Sequence, residues 1–334
     1  MNSSWTPLHA CLHQTLKARQ LLKQSQPILV AVSGGQDSLC LAKLLLDLQP
    51  KWQWQLAIVH CDHRWRADSS ANAAFVQHLA QTWKLPYFQQ TADEIPPTEA
   101  TAREWRYAAL ATIAQQQGYD QVVTGHTASD RAETLLYNLI RGSGADGLQA
   151  LTWQRPLVPG VTLVRPLLEI TRQQTGEFCQ EQQLPVWEDS TNQDLSHARN
   201  RIRLDVLTYL RTHLNPQVDR TLARTAELLQ ADVEFLEQEA AQLLQQASPD
   251  RVSLDRRVLQ VAPIALQRRA MRQLLQALLP VPPEFEHIEK LVALIKAPNR
   301  SQTDPFPSGT IAQVQGDWIH FLSTTTTDQD APTG

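Results

Sequence analysis

The sequence predicts an α/β fold, a doubly wound parallel sheet followed by a smaller, mainly helical C-terminal domain, and three observations predict it. Up to about residue 190, short apolar runs alternate with helical stretches, the pattern of parallel strands joined by crossover helices. Polar clusters at Ser33–Ser38, His60–Arg66 and Thr124–Asp130 follow three of the apolar runs, at the C-terminal strand ends where such sheets bind ligands. Beyond about residue 200 only helical periodicity continues.

Taken in order, PILVAV (27–32) reads as a buried strand and SLCLAKLLLDL (38–48) as the helix that follows it. QLAIVH (55–60) is a second strand, ANAAFVQHLAQTW (71–83) a helix and PYFQQ (86–90) a short strand. REWRYAALATIAQQQG (103–118) is a helix stopped by Gly118, DQVVTG (120–125) a strand and DRAETLLYNLIR (130–141) a helix. Within 219–247, Leu222, Ala226, Leu229, Val233, Leu236, Ala240 and Leu243 step by four and three, an apolar seam on one long helix that packs against its neighbours. Pro-rich segments at 280–283 and 298–307 punctuate further helices, and TIAQVQGDWIHFL (310–322) reads as a hairpin turning at Gly316-Asp317. A polar tail begins at Ser323.

With 334 residues the chain can bury a full core. Its 30 Lys and Arg against 34 Asp and Glu give a net charge of −4. That is unpromising for a non-specific nucleic-acid binder but compatible with a local basic patch. Cys11, Cys40, Cys61 and Cys179 are scattered, with no Cys-x-x-Cys pair. The spacing argues against a thiolate zinc site and a disulfide framework, and fits a reduced, cytoplasmic setting. The first residues hold no continuous apolar stretch, and no window approaches the roughly eighteen apolar residues of a membrane span. Neither a secretory signal nor a membrane association is expected.

In Ser33-Gly34-Gly35-Gln36-Asp37-Ser38, two glycines let the backbone curl around an anion with its N–H groups inward. Ser33 and Ser38 add hydroxyl donors, and the next helix presents its positive N-terminus. An acid in such a loop repels phosphate unless Mg2+ lies between them, so Asp37 reads as a metal ligand. The plainer alternative is a Gly-Gly turn with Asp37 as a helix cap. Gly142–Gly147 spells G-x-G-x-x-G but follows a helix instead of a strand, which argues against a dinucleotide site. His60 and His63 lack a third and fourth zinc ligand nearby. They read as orienting phosphate or base, with Arg66 adding a fixed charge, or as inert strand-end histidines. Asp130 and Glu133 share a helical face; they suit Mg2+ or a cationic substrate, or are first-turn acids favouring the helix dipole.

The Ser-Gly-Gly-x-Asp-Ser loop resembles the pyrophosphate (PP) loop of the N-type ATP pyrophosphatases, of adenine nucleotide alpha hydrolase-like fold, which cleave ATP to AMP and pyrophosphate while adenylating a carbonyl oxygen. HCDHRWR (60–66), AREWRY (102–107), TGHTASDRAET (124–134), RPLL (165–168), EDSTN (188–192) and RNRIR (199–203) follow in order. With them the chain is similar to the tRNA(Ile)-lysidine synthetases. The resemblance implies that ATP activates the C2 oxygen of the wobble cytidine of tRNA(Ile) with a CAU anticodon. The ε-amine of free L-lysine then attacks C2 and expels AMP, and decoding passes from AUG to AUA.

By the same resemblance Ser33, Gly34, Gly35, Gln36, Asp37 and Ser38, with His60, His63 and Arg66, hold ATP and its pyrophosphate, and Asp37 holds Mg2+. Asp130 and Glu133 bind lysine, and one of them helps deprotonate the nucleophile. Arg106 faces the activated cytidine, His126 completes the nucleotide pocket, and Arg103, Arg199 and Arg203 contact the tRNA. Residues 1–215 become the catalytic domain and 216–334 a tRNA-binding domain. Its candidate phosphate contacts are Arg220, Arg224, Arg251, Arg256, Arg257, Arg268, Arg269 and Arg272, and a homodimer is compatible with the family. Two departures stand out: Ser129 where the family often has an acid, and Trp65 where a smaller aliphatic residue is usual. A PP-loop tRNA thiolase, an amidotransferase-type synthetase and a non-catalytic tRNA- or nucleotide-binding module are the competing readings. The missing Cys-x-x-Cys, the missing glutaminase component and the paired acids argue against them in turn.

Overall fold

A computed structural model describes residues 5–187, 194–248 and 253–323. The chain forms two compact units, Met1–Gln230 and Ala231–Gly334.

The first unit opens with α1 (Pro7–Ala18), which the strand-and-helix alternation did not announce. Thr6 caps it, Pro7 occupies its first turn, and the His9 ring answers the Thr6 N–H in a capping box. Then follow β1 (Pro27–Ala31), α2 (Gln36–Trp52), β2 (Gln55–Asp62), α3 (Ser69–Thr82), β3 (Tyr87–Thr91), α4 (Glu99–Gln117), β4 (Gln121–Thr124) and α5 (Ala128–Ile140). A single turn, α6 (Ala145–Leu148), leads to β5 (Gln154–Val158), β6 (Val161–Val164) and α7 (Arg172–Glu181). The sheet order is β3-β2-β1-β4-β6-β5. All pairs are parallel except β5 with β6, because a tight turn at Gly160 (φ 82°) joins those two without a crossover.

The central strands are apolar throughout because both faces are covered. Ile28, Val30 and Ile58 pack into the core beneath α1, α2 and α7, whereas Leu29, Ala57 and Val59 pack on Leu110 and Ile113 of α4. β1 lies between β2 and β4, so the chain leaves it in opposite directions and opens a crevice at its C-terminal end. At Gly125, just past β4, an added Cβ would lie 2.8 Å from the Asp37 carbonyl oxygen. Only glycine lets the end of β4 approach the start of α2 this closely.

Helix α8 (Ala198–Arg201) runs through a π-helical turn, Ile202–Val206, into α9 (Leu207–His213), and α10 (Val218–Ala247) follows. The boundary between the units falls within α10. Ala226, Val233, Ala240 and Leu243 of the predicted seam are buried.

The second unit is mainly helical, with α11 (Arg256–Gln260), α12 (Ile264–Leu278) and α13 (Phe285–Leu294), and it also holds a three-stranded antiparallel sheet. β8 (Thr310–Gln315) and β9 (Trp318–Ser323) form the expected hairpin, closed at Gly316 (φ 61°) and Asp317. β7 (Ser253–Asp255), too short to leave a period in the sequence, pairs with β9. No helix among the described residues is long and apolar enough to cross a membrane.

Candidate active site

The glycine loop sits in the crevice beyond β1. Gly34 has φ 90°, and a Cβ there would come within 2.8 Å of Asn72 Nδ2, so the turn requires glycine. The Ser38 hydroxyl donates to the Gly35 carbonyl at 2.8 Å and receives the Ser33 N–H at 3.2 Å. Helix α2 starts at Gln36, directly behind this nest. The Gln36 side chain faces α7, donating to the Arg172 carbonyl at 2.7 Å and to the Thr175 hydroxyl at 3.1 Å. Asp37 is held by the Thr175 hydroxyl and by Arg172 Nε at 3.5 Å. Burial raises its carboxyl above the usual range; Arg172 opposes that shift and Asp130 reinforces it.

The second cluster stands on α5, whose N-cap is Thr127. Asp130 closes the capping box: its Oδ2 accepts the Thr127 N–H at 2.7 Å and the Thr127 hydroxyl at 2.8 Å. Burial would raise Asp130, but His126, Arg172, the Thr127 amide and Arg203 outweigh it and hold the carboxyl below its ordinary value. Glu133, one turn on, is gripped by Arg203 through both oxygens, at 2.6 and 2.8 Å, and Arg203 also lies 3.7 Å from Asp130. Burial pushes Glu133 up, against the pull of Arg203. The two acids therefore face one cation, as their spacing suggests, and in this structure that cation is Arg203 of the π-helical turn.

His126 is hydrogen-bonded through Nδ1 to the Thr124 hydroxyl at 2.9 Å. Burial, followed by Arg165, Arg106 and Arg103 against the opposing pull of Asp130, brings its pKa down to about 3 from 6.5. Between those values the unfolded histidine binds a proton that the folded ring refuses. Stability should therefore fall as pH drops through this window, by up to about 1.4 kcal/mol per pH unit. Asp37 and Glu133, both raised, contribute with the opposite sign. The His126→Asn variant isolates the histidine: its unfolding free energy in urea should fall less steeply than that of the parent chain between pH 6.5 and 4.5.

Arg103 and Arg106 of α4 flank Tyr107, with guanidinium carbons 5.6 and 5.5 Å from its ring, and Arg155 lies 4.7 Å from the same ring. Burial would raise the phenol, but Arg106, Arg165 and Arg103 bring it down to about 7. Arg199 reaches Glu99 at 3.1 Å.

These groups line one continuous groove. An alcove of about 130 Å³ is walled by Ser33, Gly35, Gln36, Asp37, Ser38, Arg66, Arg172 and Trp187. It shares Ser33, Asp37, Ser38 and Arg172 with a central chamber of about 270 Å³ that reaches His63, Arg106, His126 and Asp130. The chamber opens into an outer cavity of about 510 Å³ lined by Trp65, Arg103, Arg106, Glu133, Arg199 and Arg203, among others. Trp65 is fixed there by its indole N–H, which donates to the Pro96 carbonyl at 2.7 Å, so the bulkier residue shapes the outer wall.

His60 stands apart from the groove: its ring is buried and donates through Nδ1 to the Val32 carbonyl at 2.8 Å, tying β2 to the end of β1. Ser129 is buried and its hydroxyl accepts the Arg172 N–H at 3.2 Å, seating the start of α7. EDSTN (188–192) and Arg251 lie outside the described residues. Arg172, Thr175 and Trp187 escaped the sequence reading, and Arg165 was read only as part of the RPLL motif; the Thr171–Gln174 capping box was the available signal for the first two.

In the second unit, the expectation of a phosphate contact is corrected for Arg256. Arg256 is buried and donates to the carbonyls of Ile295, Gly316 and Ala297. Arg269 and Arg272 converge on Glu237, Arg268 pairs with Glu289 and Arg257 with Asp255.

A glycine nest at the switch point of a parallel sheet, with an acid at the head of the following helix, defines a PP-loop protein, and residues 8–210 match the PP-loop domain model. The chain is 63% identical over 330 residues to a tRNA(Ile)-lysidine synthase of Nostoc sp., covering 94% of this chain and 96% of that one. It is 54% identical over 326 residues to the tRNA(Ile)-lysidine synthase of Synechocystis sp., with 96% and 98% covered. The chain belongs to the tRNA(Ile)-lysidine synthase family. Among solved structures, the U34-tRNA thiolase NcsA of Methanococcus maripaludis is 18% identical with a TM-score of 0.55, covering 67% of this chain and 78% of that one. That likeness is one of fold.

Proposed function

We propose that this chain is the ligase that joins lysine to C2 of the wobble cytidine of tRNA(Ile) bearing a CAU anticodon, using ATP and releasing AMP and pyrophosphate. One observation carries the reading beyond the relatives. Adjoining cavities with shared walls bring together the anion loop, the two acids of α5 and the arginines of α4, the groups that the two half-reactions need.

In the first half-reaction the cytidine O2 attacks the α-phosphorus of ATP and the bond to pyrophosphate breaks. The loop N–H groups, Ser33, Ser38 and Arg66 hold the departing anion, with their donors in place before charge develops. Arg103 and Arg106 orient the nucleotide, and neutral His126 fills the pocket wall. In the second, the lysine ε-amine attacks C2, AMP leaves with the former O2, and the amine proton passes to a carboxylate of the Asp130–Glu133 pair. The contacts of Arg203 with both acids support reading the pair as a cation site.

The donor set also fits Mg2+. No group of three or more His, Cys, Asp or Glu side chains that could hold a metal converges among the described residues. Asp37 would therefore hold the ion together with the substrate's own phosphates, the usual mode for Mg2+. When bound, the ion neutralises charge on the pyrophosphate.

Arg220 and Arg224 of α10, both exposed, are candidates for gripping tRNA phosphates, as are the exposed Arg257 and Arg268. A cytoplasmic location is supported by the scattered cysteines, and a homodimer by the resemblance alone. Sulfur transfer is disfavoured, since burial pushes the Cys61 and Cys179 thiols up to about 12, far from the reactive range. ATP-dependent incorporation of labelled lysine into tRNA(Ile) with a CAU anticodon, and not into tRNA(Met), is the test.

A further inference from the structure

Behind the alcove at the glycine loop runs a line of contacts centred on Trp187. Trp187 follows α7, and its backbone N–H donates to the Gly34 carbonyl at 3.0 Å. Its indole Nε1–H donates to Asp68 Oδ2 at 3.2 Å. The other oxygen of Asp68 meets Arg66 Nε at 2.9 Å, and Arg66 lines the alcove together with Asp37 and Ser38. Phe75 of α3 lies against the indole, ring centroids 5.4 Å apart. One residue thus fixes two parts of the anion site: its backbone N–H holds the loop, and its indole, through Asp68, holds the direction of the alcove's arginine. An arginine on a loop samples many rotamers, and an anion that must order it loses affinity for that reason. A guanidinium already aimed by a carboxylate does not impose that penalty.

We propose that Trp187 and Asp68 are positioning residues for the departing pyrophosphate, holding the glycine loop and Arg66 as one preorganised anion site. The inference rests on the pyrophosphate reading of the loop and deepens it. Neither residue touches the reacting atoms. Asp68 repels the anion it serves, so its effect runs through Arg66 alone.

The experiment measures inhibition of lysine incorporation by inorganic pyrophosphate in the full chain and in Asp68→Asn, Trp187→Phe, the double variant and Arg66→Ala. Asp68→Asn and Trp187→Phe should each raise the pyrophosphate inhibition constant about five- to tenfold while the KM for lysine stays within about twofold, and the double variant should add little to the larger single effect. Asp68 is half exposed, so Asp68→Asn is expected to fold even if Trp187→Phe proves unstable. An unchanged inhibition constant in Asp68→Asn, or an equal rise in the lysine KM, would overturn the proposal. If Arg66→Ala raises the constant and Asp68→Asn does not, the relay alone is wrong. If Arg66→Ala leaves it unchanged too, the assignment of the alcove to pyrophosphate fails with it.

Discussion

Asp37→Asn is expected to reduce lysine incorporation by about a hundred- to a thousandfold, the scale seen when a preorganised charge-stabilising group is removed from an active site. The fold should survive the change. Asn keeps the shape and can still accept from Thr175 and Gln36, while the buried carboxylate it replaces is one that burial and Asp130 already disfavour in its charged form. Thermal stability should therefore be unchanged or slightly higher, and tRNA binding in a filter assay should stay near that of the parent chain. Retention of more than about a tenth of the activity would show that Asp37 serves only to join α2 to α7 through Thr175 and Arg172 and is not part of the phosphate chemistry.

Glu133→Gln is expected to act on two readouts at once. It leaves Arg203, whose side chain is only 19% exposed, with a neutral partner, and breaking a largely buried pair in this way costs roughly 3–5 kcal/mol. It also removes one of the two carboxylates proposed to receive the substrate ammonium, so the KM for lysine should rise at least about tenfold. The Glu133→Gln/Arg203→Gln double variant separates the two effects. Removing the cation as well should recover much of the stability, whereas the lysine KM should stay high. Recovery of both together would mean that Glu133 serves only to hold Arg203.

Strands β1, β2 and β4 were legible because their apolar runs are continuous and bounded by polar clusters, which is what burial on both faces of a parallel sheet demands. The hairpin β8–β9 was legible through its Gly-Asp turn. β5 and β6 were not: Pro156 interrupts the first, and the two pair antiparallel across the turn at Gly160 with no helix between them. α1 carries its apolar residues on one face and opens on the start signal Thr6-Pro7, but it precedes the first strand and so lies outside the strand-and-helix alternation.

At the site, residue types could be read and partners could not. Asp130 and Glu133 could be placed on one helical face from their spacing, yet the cation that joins them comes from Arg203, seventy positions along the chain. His60 belongs to a polar cluster at a strand end, as expected, but its ring turns to the Val32 carbonyl, because the side chains of a strand alternate between faces. Ser129, in place of a frequent acid, becomes intelligible only when α7 brings the Arg172 N–H to its hydroxyl. Non-local pairing of this kind leaves no period in a sequence.

The central claim is tested most directly by incubating the purified chain with ATP, Mg2+, lysine and a tRNA(Ile) transcript carrying a CAU anticodon, then digesting the tRNA and weighing the nucleoside at the wobble position. The predicted result is a cytidine heavier by one lysine less one water, formed with one AMP and one pyrophosphate for each nucleoside converted and absent from tRNA(Met). An unmodified or sulfur-containing nucleoside, or AMP release that ignores lysine, would contradict the account.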